Sequence, residues 1–212
     1  GASWADAVAE KKVLNAAEAS KALGDITPEQ LTEKWAANAD KVKLAPGLYV
    51  CKFADEGFFV LNGFYLRNRE KFTAPGTKVH YYSVQWAEAD LAWADFRGKF
   101  VGPTDPEAAP EGSLRGTIKR DWEALGLAAA PTVSDNGVHA SAGPLEGLAE
   151  RMVWLSQPLF SDTFTTTAVE AGATEDALRS LISNPVVTLD GQTAPAFDIL
   201  EDKQTTDVAK LL

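Results

Sequence analysis

One of the two histidines in this chain stands in a stretch whose side chains could do covalent chemistry. Residues 136–150 read Asn-Gly-Val-His-Ala-Ser-Ala-Gly-Pro-Leu-Glu-Gly-Leu-Ala-Glu, with His139 just before a Gly143-Pro144 break. Imidazole is largely neutral near neutral pH and can accept a phosphoryl or acyl group, provided a neighbour fixes its tautomer. A carboxylate is the usual neighbour. The break opens an amphipathic helix whose apolar stripe is Leu145, Leu148, Ala149, Met152 and Leu155, which leaves Glu150 on the other face, able to point back at the ring. The plainer alternative is a structural histidine near the end of a strand-like segment and a solvated glutamate.

A second group of residues lies upstream. Gly102-Pro-Thr104-Asp-Pro106 is followed by Gly112-Ser-Leu-Arg115-Gly116. An arginine beside such a turn can hold a phosphate through two parallel hydrogen bonds, and a threonine hydroxyl can add a third. Taken alone, Thr-Asp-Pro is a turn and Arg115 a surface cation.

Taken together, Asn136-Gly-Val-His139-Ala-Ser141 with Glu150, preceded by Gly-x-Thr-x-Pro and Gly-x-x-Arg-Gly, resembles the active-site signature of the nucleoside diphosphate kinases. The match runs over residues 79–155. The resemblance implies an α+β fold, a ferredoxin-like antiparallel sheet with packed helices. It implies His139 as the phosphoryl acceptor, Glu150 and Ser141 as the residues that orient it, and Thr104, Arg115 and Asn136 as nucleotide contacts. It also implies Mg²⁺ arriving with the nucleotide, nucleoside di- and triphosphates as substrates, and a homo-oligomer.

The chain departs from the family's pattern in three places. The family's first-strand Lys-Pro-Asp has its nearest counterpart in Lys52-Phe-Ala-Asp55, which lacks the proline and carries one extra residue. The phosphate-binding arginine before Gly-x-Thr falls on Gly98 by strict spacing, with Arg97 one residue away. The family's arginine ahead of its aromatic pair aligns near Asn62, before Gly63-Phe64-Tyr65. These departures leave a competing expectation: a kinase-like domain with weak or no catalysis, serving as a structural or adaptor subunit of a larger protein assembly, such as an organellar one.

Composition limits the alternatives. A chain of 212 residues with 45% apolar side chains can bury a core. A net charge of −10 argues against a general nucleic-acid or anionic-membrane role, and the aromatic residues are not interleaved with basic ones. The single cysteine, Cys51, excludes an intrachain disulfide and a Cys-based metal site. His80 and His139 fall on different elements, so no protein metal site is expected. No apolar run is long enough to span a bilayer. An intracellular location is expected, cytoplasm or the interior of a plastid or mitochondrion; the start at Gly1-Ala2-Ser3 suits a removed targeting segment and suits trimming equally.

The elements that must position these residues read as follows. Residues 4–23 favour a peripheral helix. Thr27, Pro28 and Gln30 make a capping box that starts the next helix, with Leu31 and Trp35 on its buried face. After Pro46-Gly47, residues 48–53 and 58–61 form a hairpin, and residues 64–72 a helix. Residues 79–86 are rich in aromatic and β-branched residues and are expected to form the strongest strand; residues 87–96 follow as a short helix. Residues 117–135 exceed the family's connection and read as an insertion. Beyond 155, Thr174 caps a short helix, residues 186–197 form a hairpin around Asp190-Gly191, and residues 205–212 form a docking helix. The domain expectation is a helical N-terminal extension (1–46), the kinase-like domain (47–155) and a C-terminal extension (156–212).

Overall fold

The computed structural model describes residues 4–45 and 47–212; Pro46 of the expected turn and Gly1-Ala2-Ser3 lie outside the described residues. The fold is mixed, with helices, one four-stranded sheet and one two-stranded sheet. The chain divides into two units, one ending at His80 and one beginning at Tyr81, so the boundary falls inside the 47–155 segment.

In the first unit, residues 4–23 are not one helix. They form α1 (Trp4–Ala9), β1 (Val13–Asn15) and α2 (Ala16–Ala22). Lys11 takes a left-handed conformation after α1, Val13 and Leu14 pair with Phe59 and Val60, and Asn15 caps α2 in a reciprocal box with Glu18. Alanine propensity therefore yields to a cap and a ladder. The next helix, α3 (Pro28–Ala37), starts as expected: Thr27 Oγ1 accepts from the Gln30 N–H at 3.2 Å, and Gln30 Oε1 accepts from the Thr27 N–H at 2.9 Å. Leu31 and Trp35 are buried on its inner face.

Strands β2 (Lys41–Ala45), β3 (Leu48–Phe53) and β4 (Phe58–Leu61) complete the sheet in the order β1-β4-β3-β2, and α4 (Tyr65–Thr73) follows. The expected β3–β4 hairpin forms, with Phe53 opposite Phe58. Two expectations need correction. The sheet is mixed rather than antiparallel throughout, because β1 runs parallel to β4. The crossover between them, through α2, α3 and two strands, is long enough to permit that direction. The segment 1–46 is also not purely helical, since it supplies β1 and β2. Ala16, Ala19, Leu31, Trp35, Cys51, Phe53 and Val60 form the core of this unit.

The second unit is mainly helical: α5 (Trp93–Asp95), α6 (Leu114–Asp121), α7 (Pro144–Leu155), α8 (Thr163–Glu170), α9 (Glu175–Leu181), α10 (Ala196–Ile199) and α11 (Thr205–Leu211). Residues 79–86, expected as a strand, have no ladder partner among the described residues, and Tyr81, Tyr82 and Val84 are exposed. Strand propensity records how well a side chain fits a pleated, half-buried surface, and here no neighbouring strand supplies one. Trp86 instead stacks on Phe96 at 4.5 Å, and its ring N–H donates to the Leu91 carbonyl at 2.8 Å.

The helix expected over 87–96 shrinks to α5, which widens into a π-helical turn, Phe96–Val101. The tail hairpin, β5 (Val186–Leu189) and β6 (Gln192–Pro195), turns on Asp190 and Gly191, both at positive φ as a type I′ turn demands. In the main core cluster of this unit all but two of the buried residues (Leu159, Phe164, Leu178, Leu200 and Val208 among them) come from 156–212; Leu145 and Leu148 of α7 are the exceptions. No described helix is long and apolar enough to cross a membrane.

Candidate active site

The site is built on the turn that ends the π-helical segment. Gly102 lies at φ +96°, and a Cβ there would come within 2.7 Å of Ser113 Oγ. Ser113 is fully buried; it caps α6, its hydroxyl donating to the Pro110 carbonyl at 2.7 Å and accepting from the Gly116 N–H at 3.0 Å. That cap fixes the first turn of α6 and with it Arg115.

Arg115 fastens two loops. Nη1 donates to the Gly102 carbonyl and Nη2 to the Val138 carbonyl, each at 2.6 Å. Asn136 adds a third tie, its Nδ2 donating to the Thr104 carbonyl at 3.1 Å. His139 was expected on a strand-like segment, but residues 138–140 pair with no strand among the described residues. The coil is held by Arg115 and Asn136 instead, which satisfy backbone groups that a ladder would otherwise have served.

Helix α7 sets the carboxylate. Pro144 occupies its first turn, Leu145 and Leu148 are buried at 1% and 0% exposure, and the apolar side thus turned inward leaves Glu150 at 30%. The His139 side chain is 68% exposed, with Nε2 2.5 Å from Glu150 Oε1. The Ser141 hydroxyl donates to Glu150 Oε2, also at 2.5 Å. Both carboxylate oxygens are therefore engaged. Nδ1 of His139 makes no hydrogen bond to a described residue.

The electrostatics follow from this arrangement. The His139 pKa is raised, first by the hydrogen bond to Glu150, against partial burial, and then by the charges of Glu150 and Glu146; Arg115 acts in the opposite direction. Burial pushes the Glu150 carboxyl up, but the bonds from His139 and Ser141 and the nearby cations outweigh it and hold it below the usual range. Burial, and then the charge of Arg97, lowers Arg115.

The second unit thus brings together His139, Ser141, Glu150, Arg115, Asn136 and the Thr104 carbonyl. Arg97 is near enough to act on Arg115, but its Nη1 is bound to Glu201 Oε1 at 2.7 Å and Asp202 Oδ1 at 2.6 Å. Lys52 belongs to the first unit, exposed on β3, where it lines a cleft with Lys34, Asn38 and Asp55. No described group of three or more His, Cys, Asp or Glu is placed to hold a metal ion. A cavity of about 520 Å³ in the second unit is lined by Trp86, Trp93, Arg151, Gln157 and Asp162, and by neither His139 nor Glu150.

Four participants escaped the sequence reading. Glu146 accepts from the Ala142 N–H and adds to the field on His139; its four-residue spacing from Glu150 was a signal that both carboxylates share a helix face. Trp93 donates from its ring to the Ser141 carbonyl at 3.3 Å. Glu201 and Asp202 reach Arg97 from far along the chain, and nothing local announces them.

Comparison of the chain with protein-family models, with characterised protein sequences and with solved structures gives no significant match.

Proposed function

We propose that the chain transfers phosphoryl groups from nucleoside triphosphates to nucleoside diphosphates through a phosphohistidine at His139, in the manner of the kinases that its two motifs resemble. The observation that carries this reading is the exposed imidazole with Nε2 2.5 Å from Glu150 and no described partner on Nδ1. Glu150 accepts a hydrogen bond from the Nε2–H of the neutral ring and fixes that tautomer, which leaves the lone pair on Nδ1 as the nucleophile. That lone pair attacks the terminal phosphorus, the bond to the bridging oxygen breaks, and the diphosphate leaves with the electron pair. A terminal oxygen of a second diphosphate then attacks the phosphorus and the N–P bond breaks, restoring His139.

In-line transfer of this kind asks the protein for placement and positive charge more than for covalent chemistry. Ser141 steadies the carboxylate that steadies the ring, Asn136 and Thr104 hold the loop beside it, and Arg115 and Arg97 supply the cationic field. The substrate is the nucleotide as its Mg²⁺ complex, with the ion borne by the phosphates. A ferredoxin-like arrangement of the sheet is part of the same proposal.

A second reading has its own support. The outer nitrogens of Arg115 bond carbonyls and Nη1 of Arg97 bonds two carboxylates, so both cations have structural work in this arrangement. On that reading the domain is an adaptor or structural subunit that keeps the scaffold without the turnover.

Incubation with γ-labelled ATP separates the two. An acid-labile, base-stable phosphoprotein, lost in His139→Ala, is the expected result. No label under conditions in which an authentic nucleoside diphosphate kinase is labelled would overturn the kinase reading.

A further inference from the structure

We propose that the loop between Leu200 and Gln204 carries an internal anion, the Glu201 and Asp202 carboxylates, which occupies Arg97 in place of a polyphosphate and withdraws when one binds. This inference rests on the proposed phosphotransfer site and assigns it an autoinhibitory contact.

Three observations carry it. Two carboxylate oxygens lie within 2.6–2.7 Å of one guanidinium nitrogen, the distances that phosphate oxygens take up against arginine. With both carboxylates in place, Arg97 is over-neutralised and its pull on a polyphosphate is lost. The loop is also docked on the chain that carries the site. The Asp202 N–H donates to the Ala142 carbonyl at 2.9 Å, and a Cβ on Gly143 would stand 3.0 Å from the Leu200 carbonyl. Gln204 Oε1 accepts from the Trp93 N–H at 2.8 Å, and the Trp93 ring in turn donates to the Ser141 carbonyl. The acidic pair is therefore held beside the segment that follows His139.

The third observation concerns release. Leu200 and Val208 are buried at 2% and 0%, so the loop is anchored on both sides. The side chains of Arg97, Glu201 and Asp202 remain 26%, 47% and 43% exposed. Ion pairs in contact with water hold weakly and are screened by salt. Anchoring keeps the carboxylates at high effective concentration near Arg97, while their exposure lets a stronger anion displace them without disturbing the core.

The test is calorimetric titration of the full-length protein with inorganic pyrophosphate at low ionic strength, comparing wild type with the double variant Glu201→Gln, Asp202→Asn. A contact closed nine-tenths of the time lowers apparent affinity about tenfold, so the double variant is expected to bind about tenfold more tightly. Glu201→Gln alone, which keeps every Asp202 contact, is expected to give a smaller gain, and Arg97→Gln in the double-variant background to abolish it. Unchanged or weaker affinity in the double variant, or no binding in either protein, overturns the inference; weaker affinity would mean that the two acids position Arg97 for its ligand. Labelling of His139 in the same preparations is read separately. Tighter pyrophosphate binding without label in either protein keeps the internal anion and removes the kinase reading, and label with equal pyrophosphate affinity does the reverse.

Discussion

Glu150 is shared: one carboxylate oxygen lies 2.5 Å from His139 Nε2 and the other takes the Ser141 hydroxyl at the same distance. A carboxylate so held favours the imidazolium, chiefly through the hydrogen bond to the ring, and the His139 pKa rises above 6.5. Nucleophilic attack needs the neutral ring, so phosphorylation is expected to fall on acidification with a midpoint above 6.5. Glu150→Gln removes the charge and is expected to move that midpoint down. An NMR titration of the His139 ring in both proteins checks this; an equal or higher pKa in the variant would remove the carboxylate as the cause.

The same pair makes a prediction about stability with opposite slopes. His139 has a raised folded pKa, so its contribution is fully present below its unfolded pKa and is lost as pH rises through the folded one. Glu150 has a lowered pKa, so its contribution is present above the unfolded carboxylate value and is lost as pH falls through the folded one. Urea midpoints of wild type minus the Glu150→Gln variant are therefore expected to be largest between the ordinary carboxylate range and the raised His139 pKa. A difference flat across that range would mean that the ion pair adds nothing in solution.

Glu150→Ala is expected to slow His139 phosphorylation on the order of 10²-fold, because the ring loses both its tautomer and its orientation. Ser141→Ala removes one hydrogen bond from a carboxylate that keeps its other contact, and about fivefold is expected. Quenched-flow labelling measures both. Equal effects would place Ser141 on the phosphate rather than on Glu150.

How much of this was legible in the sequence depended on how local the cause was. The Thr27 box, the Phe53–Phe58 hairpin and the Asp190-Gly191 turn each rest on a few neighbouring residues, and each stands where it was expected. The approach of Glu150 to His139 was readable because helical period and a Gly-Pro break fix which face looks back. Residues 79–86 misled because aromatic and β-branched residues signal a strand only if another strand lies beside it. The Ala-rich start misled because Asn15 and the Phe59 ladder decide it from outside the helix. The partners of Arg97 could not be read: they lie more than a hundred residues on, and only the packing of 156–212 around α7 brings them back.

Arg115 makes a structural prediction that separates it from a simple phosphate ligand. Its two outer nitrogens bond the carbonyls of Gly102 and Val138, and both carbonyls would lose a charge-assisted donor in Arg115→Met. A loss of about 2 kcal/mol is expected from urea unfolding without any nucleotide present. Unchanged stability would mean that the loops are held by Asn136 and the α6 cap, and that Arg115 is available to substrate at all times.

The two glycines of the 112–116 turn should respond unequally. A Cβ on Gly116 would lie 2.1 Å from the Pro110 carbonyl oxygen, a backbone atom that cannot rotate away, so α6 or the turn has to move. Gly112 meets nothing within 4 Å. Gly116→Ala is expected to cost about 2–3 kcal/mol and Gly112→Ala to stay within about 0.5 kcal/mol. Because Arg115 rides on the first turn of α6, the displaced helix in Gly116→Ala should also loosen the Val138 tie, and His139 labelling should fall further than global stability requires. Chemical denaturation together with labelling under conditions where each variant is fully folded measures the two effects separately. If labelling tracks only the folded fraction, the α6 turn supports the fold without setting the histidine.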